Sequence, residues 1–458
     1  MLHVDERCCG LKKAEVSDKK QLLRRDTDLG RADRLRPQVI IDALPDNVLL
    51  DTFEFCLGKD DPDDLDGEHN YDGWQTLVHV CYRWRCIVFA SSRRLDLKLY
   101  CTQQRSVNSL LDIWPAFPIV VHALGSEEDV TNIINIAALR QHNRVCKIDY
   151  YNEEFQDPFL KEFAAIDEPF PALTSLDLVS YAQNVPVLPD SFLGASVPRL
   201  RSFLLDGIPY PSIGRLLSST TNLVRLLLWN IPHSGYIPPE TIVPCLSALP
   251  SLKSFSLGFQ HPRSRAHRAG RQPPPLTRVV FPNLASLEFG GDIEYLEDIL
   301  SQIETPSLSE SRFYFFNQLV FDTPLLGHFI CRTEAFTTTH TARVRLYRSA
   351  VWVTLLGREE MVDNNREALE LHIFCKPLDW QLSALAQVLN LFVSSLSTLE
   401  SLEIAIDHDD WQGEIEVIQW QELLQPFTPV KKMTLKDEAS VRLVAPALTE
   451  VIRENLPQ

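Results

Sequence analysis

No apolar run in the 458-residue sequence approaches the roughly 20 residues that a helix needs to span a bilayer. The opening MLHVDERCCGLKKAEV also lacks the apolar core of a signal peptide. The chain is therefore expected in the cytosol or nucleus, with no membrane partner. C-x-x-C pairs are missing too: the ten cysteines are scattered singly, Cys8-Cys9 apart. In a long, non-secreted chain that spacing predicts reduced structural thiols. Positive charge is scarce. Lys and Arg number 44 against 61 Asp and Glu, a formal net charge of −17. That balance argues against nucleic acid as a main partner, because phosphate binding needs a positive surface. Local basic patches are compatible with it.

Motifs of the common chemistries are absent as well. There is no phosphate-binding G-x-x-x-x-G-K-[ST], no G-x-S-x-G elbow, no H-E-x-x-H pair and no Rossmann glycine fingerprint. No cysteine sits beside a predictable His/Asn pair. Nothing argues for a catalytic site, a cofactor or a metal, so the expectation is a non-enzyme. A hydrolase or nucleotide enzyme on an α/β frame would need a polar cluster that the sequence does not reveal.

At this length the chain can build a substantial core and more than one unit. Residues 1–37 are strongly charged with few apolar anchors, which reads as a mobile or loosely helical tail. Its interleaved Asp and Glu weaken a targeting role for the Lys/Arg clusters. Residues 39–57 read as an apolar helix. Pro45 suits a first turn, and Asp46 complements the positive end of the helix dipole. Val48, Leu49, Thr52, Phe53 and Cys56 recur at three- and four-residue steps as one stripe. Residues 58–73 form an acidic insertion. Read as a calcium loop from Asp61, it has Asp63 in place, but Leu65, Gly67 and Asp72 fall where other residues are required, so a solvated loop is the better reading. Residues 74–90 resume the apolar pattern as a second helix, with Trp74, Leu77, Val78, Cys81 and Val88 on one stripe and Trp84 and Ile87 beside it. In SSRRLDLKLY, Leu95, Leu97 and Leu99 then alternate as a strand does.

From about residue 145 an internal repeat appears. Its clearest copies are PALTSLDL (Leu173, Leu176, Leu178), PRLRSFLL (Leu200, Phe203, Leu205), TNLVRLLL (Leu223, Leu226, Leu228), PSLKSFSL (Leu252, Phe255, Leu257) and PNLASLEF (Leu284, Leu287, Phe289). Their first positions step by 27, 23, 29 and 32 residues. NRVCKIDY (Val145, Ile148) is a weaker early copy; STLESLEI (Leu399, Leu402, Ile404) and TPVKKMTL (Val430, Met433, Leu435) are late ones. The central L-x-L reads as a short strand facing inward. The stretches between return the chain, several as helices: SIGRLLSST, IVPCLSALP and LSALAQVLNLFVSSLS. One such unit cannot bury its face, whereas a stack can. Two features interrupt the series. HPRSRAHRAGRQPPPLTR, 261–278, reads as an exposed loop or as a phosphate- or partner-binding patch. Residues 305–368 lose the repeat, although TARVRLYRSAVWVTLL alternates like two strands. The run at Asp407, His408, Asp409 and Asp410 reads as a solvated loop; a metal reading fails for want of a second ligand cluster.

LPDNVLLDTF followed by LVHVCYRWRCIVF resembles the F-box, the helical module by which substrate receptors dock on Skp1 in cullin-based ubiquitin ligases. The chain over roughly 38–455 is similar to basidiomycete F-box proteins with leucine-rich-repeat-like C-terminal regions, as in LLDIWPAFPIV and IQWQELLQPFTPVKKMTLKD. The resemblance implies an all-α F-box module over 38–100 and an irregular α/β solenoid of parallel strands over 101–458. It implies Skp1 contacts at Leu44, Pro45, Val48, Leu49, Phe53, Val80, Cys81 and Trp84, a cullin reached through Skp1, and a non-catalytic adaptor role with an unidentified target protein. The alternatives are a repeat scaffold outside any ligase, and a stripe that packs only on the chain itself. Asn47 stands where many F-boxes have Glu, and the acidic insertion lengthens the interhelical loop. The repeats also lack the usual Asn, its place holding Tyr181, Ile208, Ile231, Gln260 and Asp292. The curve is therefore expected to be irregular.

Overall fold

A computed structural model describes residues 41–57, 73–102, 111, 113–124, 136–262, 278–316, 321, 323–357, 366–375, 378–391, 393–407 and 417–455. The charged tail, nearly all of the acidic insertion, residues 263–277 and the run after Asp407 lie outside the described residues, and with them the calcium, metal and phosphate readings. The chain divides into two compact units, Met1–Asp96 and Leu97–Gln458.

The described part of the first unit is helical. After a 3-10 turn at Ile41–Ala43 come α1 (Asp46–Leu57), α2 (Gly73–Val80) and α3 (Tyr82–Ala90). Pro45 precedes α1, and its carbonyl accepts from the Val48 and Leu49 amides, both at 3.1 Å. The second helix, read as continuous over 74–90, is in fact broken at Cys81. That residue is extended (φ −157°, ψ 169°), and its Sγ accepts the Trp84 amide at 3.5 Å. A side chain that satisfies a free helix N–H favours a new start over continuation. The break resets the helical phase, so residues before and after it do not share one stripe. Leu49 and Phe53 of α1, Trp74 and Val78 of α2, and Ile87 and Val88 of α3 are buried. The Phe53 and Trp84 rings meet at 4.7 Å. Arg83 ties α3 to the start of α1 by donating to Asp46 Oδ1 and to the Leu44 carbonyl, the latter at 2.6 Å.

The second unit is mixed α/β, built on one large, mostly parallel sheet. Its strands are β1 (Leu99–Cys101), β2 (Ile119–Leu124), β3 (Val145–Asn152), β4 (Ser175–Ser180), β5 (Ser202–Asp206), β6 (Arg225–Ile231), β7 (Ser254–Phe259), β8 (Val279–Val280), β9 (Ser286–Gly291), β10 (Ile303–Glu304), β11 (Glu310–Phe315), β12 (Thr341–Tyr347), β13 (Ala350–Gly357), β14 (Arg366–Phe374), β15 (Ser401–Ile406) and β16 (Lys432–Leu435). Between them run α4 (Pro158–Ala164), α5 (Ile213–Leu217), α6 (Pro239–Ser247), α7 (Ile293–Gln302), α8 (Pro324–Arg332), α9 (Glu334–Thr337), α10 (Leu378–Asn390), α11 (Val393–Leu396), α12 (Val417–Leu424) and α13 (Glu438–Asn455).

Fourteen of the described strands form the main sheet in the order β1-β2-β3-β4-β5-β6-β7-β9-β11-β14-β13-β12-β15-β16; β8 and β10 pair apart. The five clear repeats supply β4, β5, β6, β7 and β9 as successive parallel neighbours. Their leucine frame is in register: Ile148, Leu176, Phe203, Leu226, Phe255 and Leu287 lie side by side, as do Tyr150, Leu178, Leu205, Leu228, Leu257 and Phe289. All of these are buried. Helices cover this face. Phe159 of α4 stacks on Tyr150 at 4.4 Å, and Phe329 of α8 meets Phe313 of β11 at 6.4 Å.

Backbone bonds just before the strands supply a rung that the missing asparagines do not. The amides of Thr174, Arg201, Val224, Lys253, Ala285 and Ser309 each donate to the equivalent carbonyl one repeat earlier, at 2.8–2.9 Å. Where the repeat fades, the sheet continues differently. β12 and β13 form an antiparallel hairpin, as their alternation predicts, and β14 returns beside β11. Among the described strands of the main sheet, only β13 runs against the rest. The last copy ends the sheet, and its Val430, Met433 and Leu435 are only half-buried.

Candidate partner-binding surfaces

On α1 the stripe expected to face a partner divides in two. Leu49 and Phe53, at 2% and 1% exposure, belong to the core. A short helix must bury one face to be stable at all, and Leu49 and Phe53, four residues apart, lie on that face. Val48, Thr52 and Cys56 face outward, joined by Phe55 at 87% exposure. Positions 48, 52, 55 and 56 fall within one narrow arc of a 3.6-residue helix. Around the Cys81 break, Val80 and Tyr82 are also exposed, while Cys81 and Trp84 are half-buried. Leu44 is half-buried and Pro45 exposed. The eight expected residues thus separate into a pair in the core, Leu49 and Phe53, and six that reach solvent in part or in full. Phe55 and Tyr82 had no place in the sequence reading. Phe55 is two residues from Phe53, a step of about 200° around the helix, which is the signal that separates them. Arg94 pairs with Asp51 and Glu54 along the flank of α1.

The second surface is the sheet face opposite the helices of the second unit, whose side chains are mostly half-buried. One row across it reads Asp149, Asp177, Leu204, Leu227, Ser256, Glu288, Arg312, Glu370, Thr354, Arg343, Glu403. The next row reads Tyr151, Val179, Asp206 and Trp229, then Gly258, Gly290, Tyr314, His372 and Trp352. The aromatic members touch in series: Trp229–Tyr314 at 5.6 Å, Tyr314–His372 at 4.4 Å, His372–Trp352 at 4.4 Å and Trp352–Tyr347 at 4.4 Å.

Charge is distributed unevenly over this face. On the β11–β16 side, ions are paired: Arg312 with Glu310 and Glu370, Arg343 with Glu403, Lys436 with Glu403. The His372 hydrogen bond holds the Glu370 carboxyl below its ordinary range. Burial pushes Glu403 up, but bonds from Arg343 and Lys436 outweigh it and hold the carboxyl low. Burial, with Glu288 and Glu370 nearby, pushes the Tyr314 phenol up to about 12. The β3–β5 side is acidic. Burial raises Asp149 as well, yet His122 and Lys147 bring it down. Asp177 is pushed up by burial and then by Asp149. Its Oδ1 is buried without a hydrogen-bond partner, and its other oxygen accepts from Ser175 at 3.2 Å.

A small hollow at the C-terminal ends of β6, β7 and β9 is lined by Ile231, Pro232, His233, Tyr236, Phe259, His261, Asp292 and Tyr295. Its rings mostly pack on one another, and the Tyr295 hydroxyl is spent on the Ile237 carbonyl at 2.6 Å. Among the described residues, no three His, Cys, Asp or Glu side chains are grouped to hold a metal, and no helix is long and apolar enough to cross a membrane. No protein-family model matches the chain, and no curated protein is similar to it.

Proposed function

We propose that the chain is a non-catalytic adaptor of a cullin-based ubiquitin ligase. In this reading the helical unit is an F-box that docks on Skp1, and the sheet unit is a leucine-rich-repeat-like solenoid that holds the target protein. The observation that carries the docking half is the apolar surface left on α1 and at the α2–α3 break. Pro45, Val48, Phe55, Val80 and Tyr82 are all exposed. Exposed apolar side chains on so small a unit are a liability in water and an asset in an interface, where burial contributes roughly 25 cal/mol per Å2. The repeat-borne strands support the target-binding half, since stacked repeats present one extended face.

The test is capture of the chain by immobilised Skp1. Val48→Glu with Val80→Glu places two charges on the exposed surface and leaves the buried Leu49 and Phe53 in place. Loss of capture at unchanged melting temperature is expected. Equal capture of variant and wild type would overturn the docking half. The second reading, a repeat scaffold outside any ligase, draws on the burial of Leu49 and Phe53: part of the motif serves the unit's own core. It predicts no capture of either protein.

A further inference from the structure

We infer that the open sheet face from β3 to β9 is the docking site for an extended, Lys/Arg-bearing segment, whose cations meet Asp149, Asp177 and Asp206 while one side chain lies on the indole of Trp229. Only the identification of that segment with a ligase target rests on the adaptor reading.

The indole has a built bed. A Cβ at Gly258 would sit 2.6 Å from Trp229 Cε3, and one at Gly290 3.0 Å from Cη2. Neither glycine has a positive φ. They stand in strand interiors, where glycine is less favourable than alanine. Their effect is to let the indole lie flat across two strands, with the Tyr314 ring at 80° to it. A flat, half-buried indole presents a π face to a cation. Beside it, Asp206 on β5 accepts from Asn230 at 2.7 Å and from Tyr181 at 3.3 Å, which leaves its charge uncompensated by any cation in those bonds. Asp149 and Asp177 are directly opposed on β3 and β4. Like charges in that position destabilise a sheet unless a cation joins them. Lys147 and His122 pair with Asp149; Lys147 and Arg225 act on Asp177 only as longer-range attractions, and its buried Oδ1 has no hydrogen-bond partner. The exposed rings of Tyr151 and Tyr181 meet at 6.2 Å above the same strands. From β4 to β6 is two strand spacings, about 10 Å, which matches one three-residue turn of an extended polyproline-II segment, about 9 Å, with every third side chain on one face. The ligand therefore carries cations about three residues apart.

The test uses the full chain and a fluorescein-labelled nine-residue peptide with Arg at every third position, separated by Gly and Ser. Its counterpart has Glu in place of Arg. Anisotropy is expected to show binding of the Arg peptide alone, weakening as salt rises. Asp177→Asn, an isosteric change, and Trp229→Ala are each expected to weaken binding at least about fivefold. Glu422→Gln, an equal charge change at an exposed position on α12, is expected to leave it unchanged. Wild-type binding by both face variants would overturn the proposal. So would an equal loss with Glu422→Gln, which would reduce the effect to the net charge of −17. Binding only after Arg263, Arg265, Arg268 and Arg271 are replaced by Ser would also overturn it, assigning the face to the chain's own segment. Peptide binding retained alongside failed Skp1 capture supports this inference and rejects the adaptor reading.

Discussion

Phe53 and Phe55 stand two residues apart on α1 and have opposite fates, one at 1% exposure and the other at 87%. Phe53→Ala should therefore cost about 3–5 kcal/mol through the cavity left against Trp84. Phe55→Ser should stay within about 0.5 kcal/mol. Urea unfolding of the two variants checks the contrast. At the same scale, two carboxylates on the open sheet face should respond oppositely to pH. Glu403 is held low in the folded state, so its contribution is present above its unfolded pKa and is lost as pH falls through the folded value. Asp177 is held high, so the folded state keeps a proton that the unfolded chain has released, and stability falls as pH rises through that window. Melting temperatures across pH 3–7 are expected to show Glu403→Gln flattening the acid limb. Asp177→Asn should raise stability at neutral pH.

Among elements, the repeat strands were the most legible part of the sequence, because the L-x-x-L-x-L frame encodes both burial and period. Every frame residue of the five clear copies is buried. The hairpin β12–β13 was legible from alternation alone, but its insertion between β14 and β15 was not. Strand order across a crossover depends on long-range packing, which no local pattern carries. The helix over 74–90 failed at Cys81 because a weak sulfur cap leaves no strong mark in a sequence. The aromatic row was missed for a different reason. Trp229, Tyr314 and His372 occupy the outward positions between the leucines, and only aligning the repeats as columns would join them. Gly207 shows how tightly the turns after the strands are held. It has φ +73°, and a Cβ there would lie 2.1 Å from the Ser180 carbonyl oxygen. Gly207→Ala should therefore destabilise the sheet unit by roughly 1–3 kcal/mol, read as a lowered urea midpoint. Asn230, at φ 47° on β6, is a residue that tolerates this region.

For the whole molecule, the sheet unit is a stack in which each strand depends on its neighbours, so position should set the cost of a mutation. Leu226→Ala, in the middle of the buried ladder, is expected to lower stability by about 3–5 kcal/mol. Leu435→Ala, on the half-buried end strand, should cost less than half of that in the same denaturation experiment. The helical unit follows another logic. Its own core is small, its interhelical segment is acidic, and apolar side chains remain on the outside of α1. That combination is what the adaptor reading explains, and hydrogen exchange of the full chain with and without Skp1 tests it most directly. The reading predicts slowed exchange over residues 44–57 and 78–88 when Skp1 is present, with the amides of β4–β9 unchanged. Exchange that is identical in both states over α1 and the Cys81 break would contradict it.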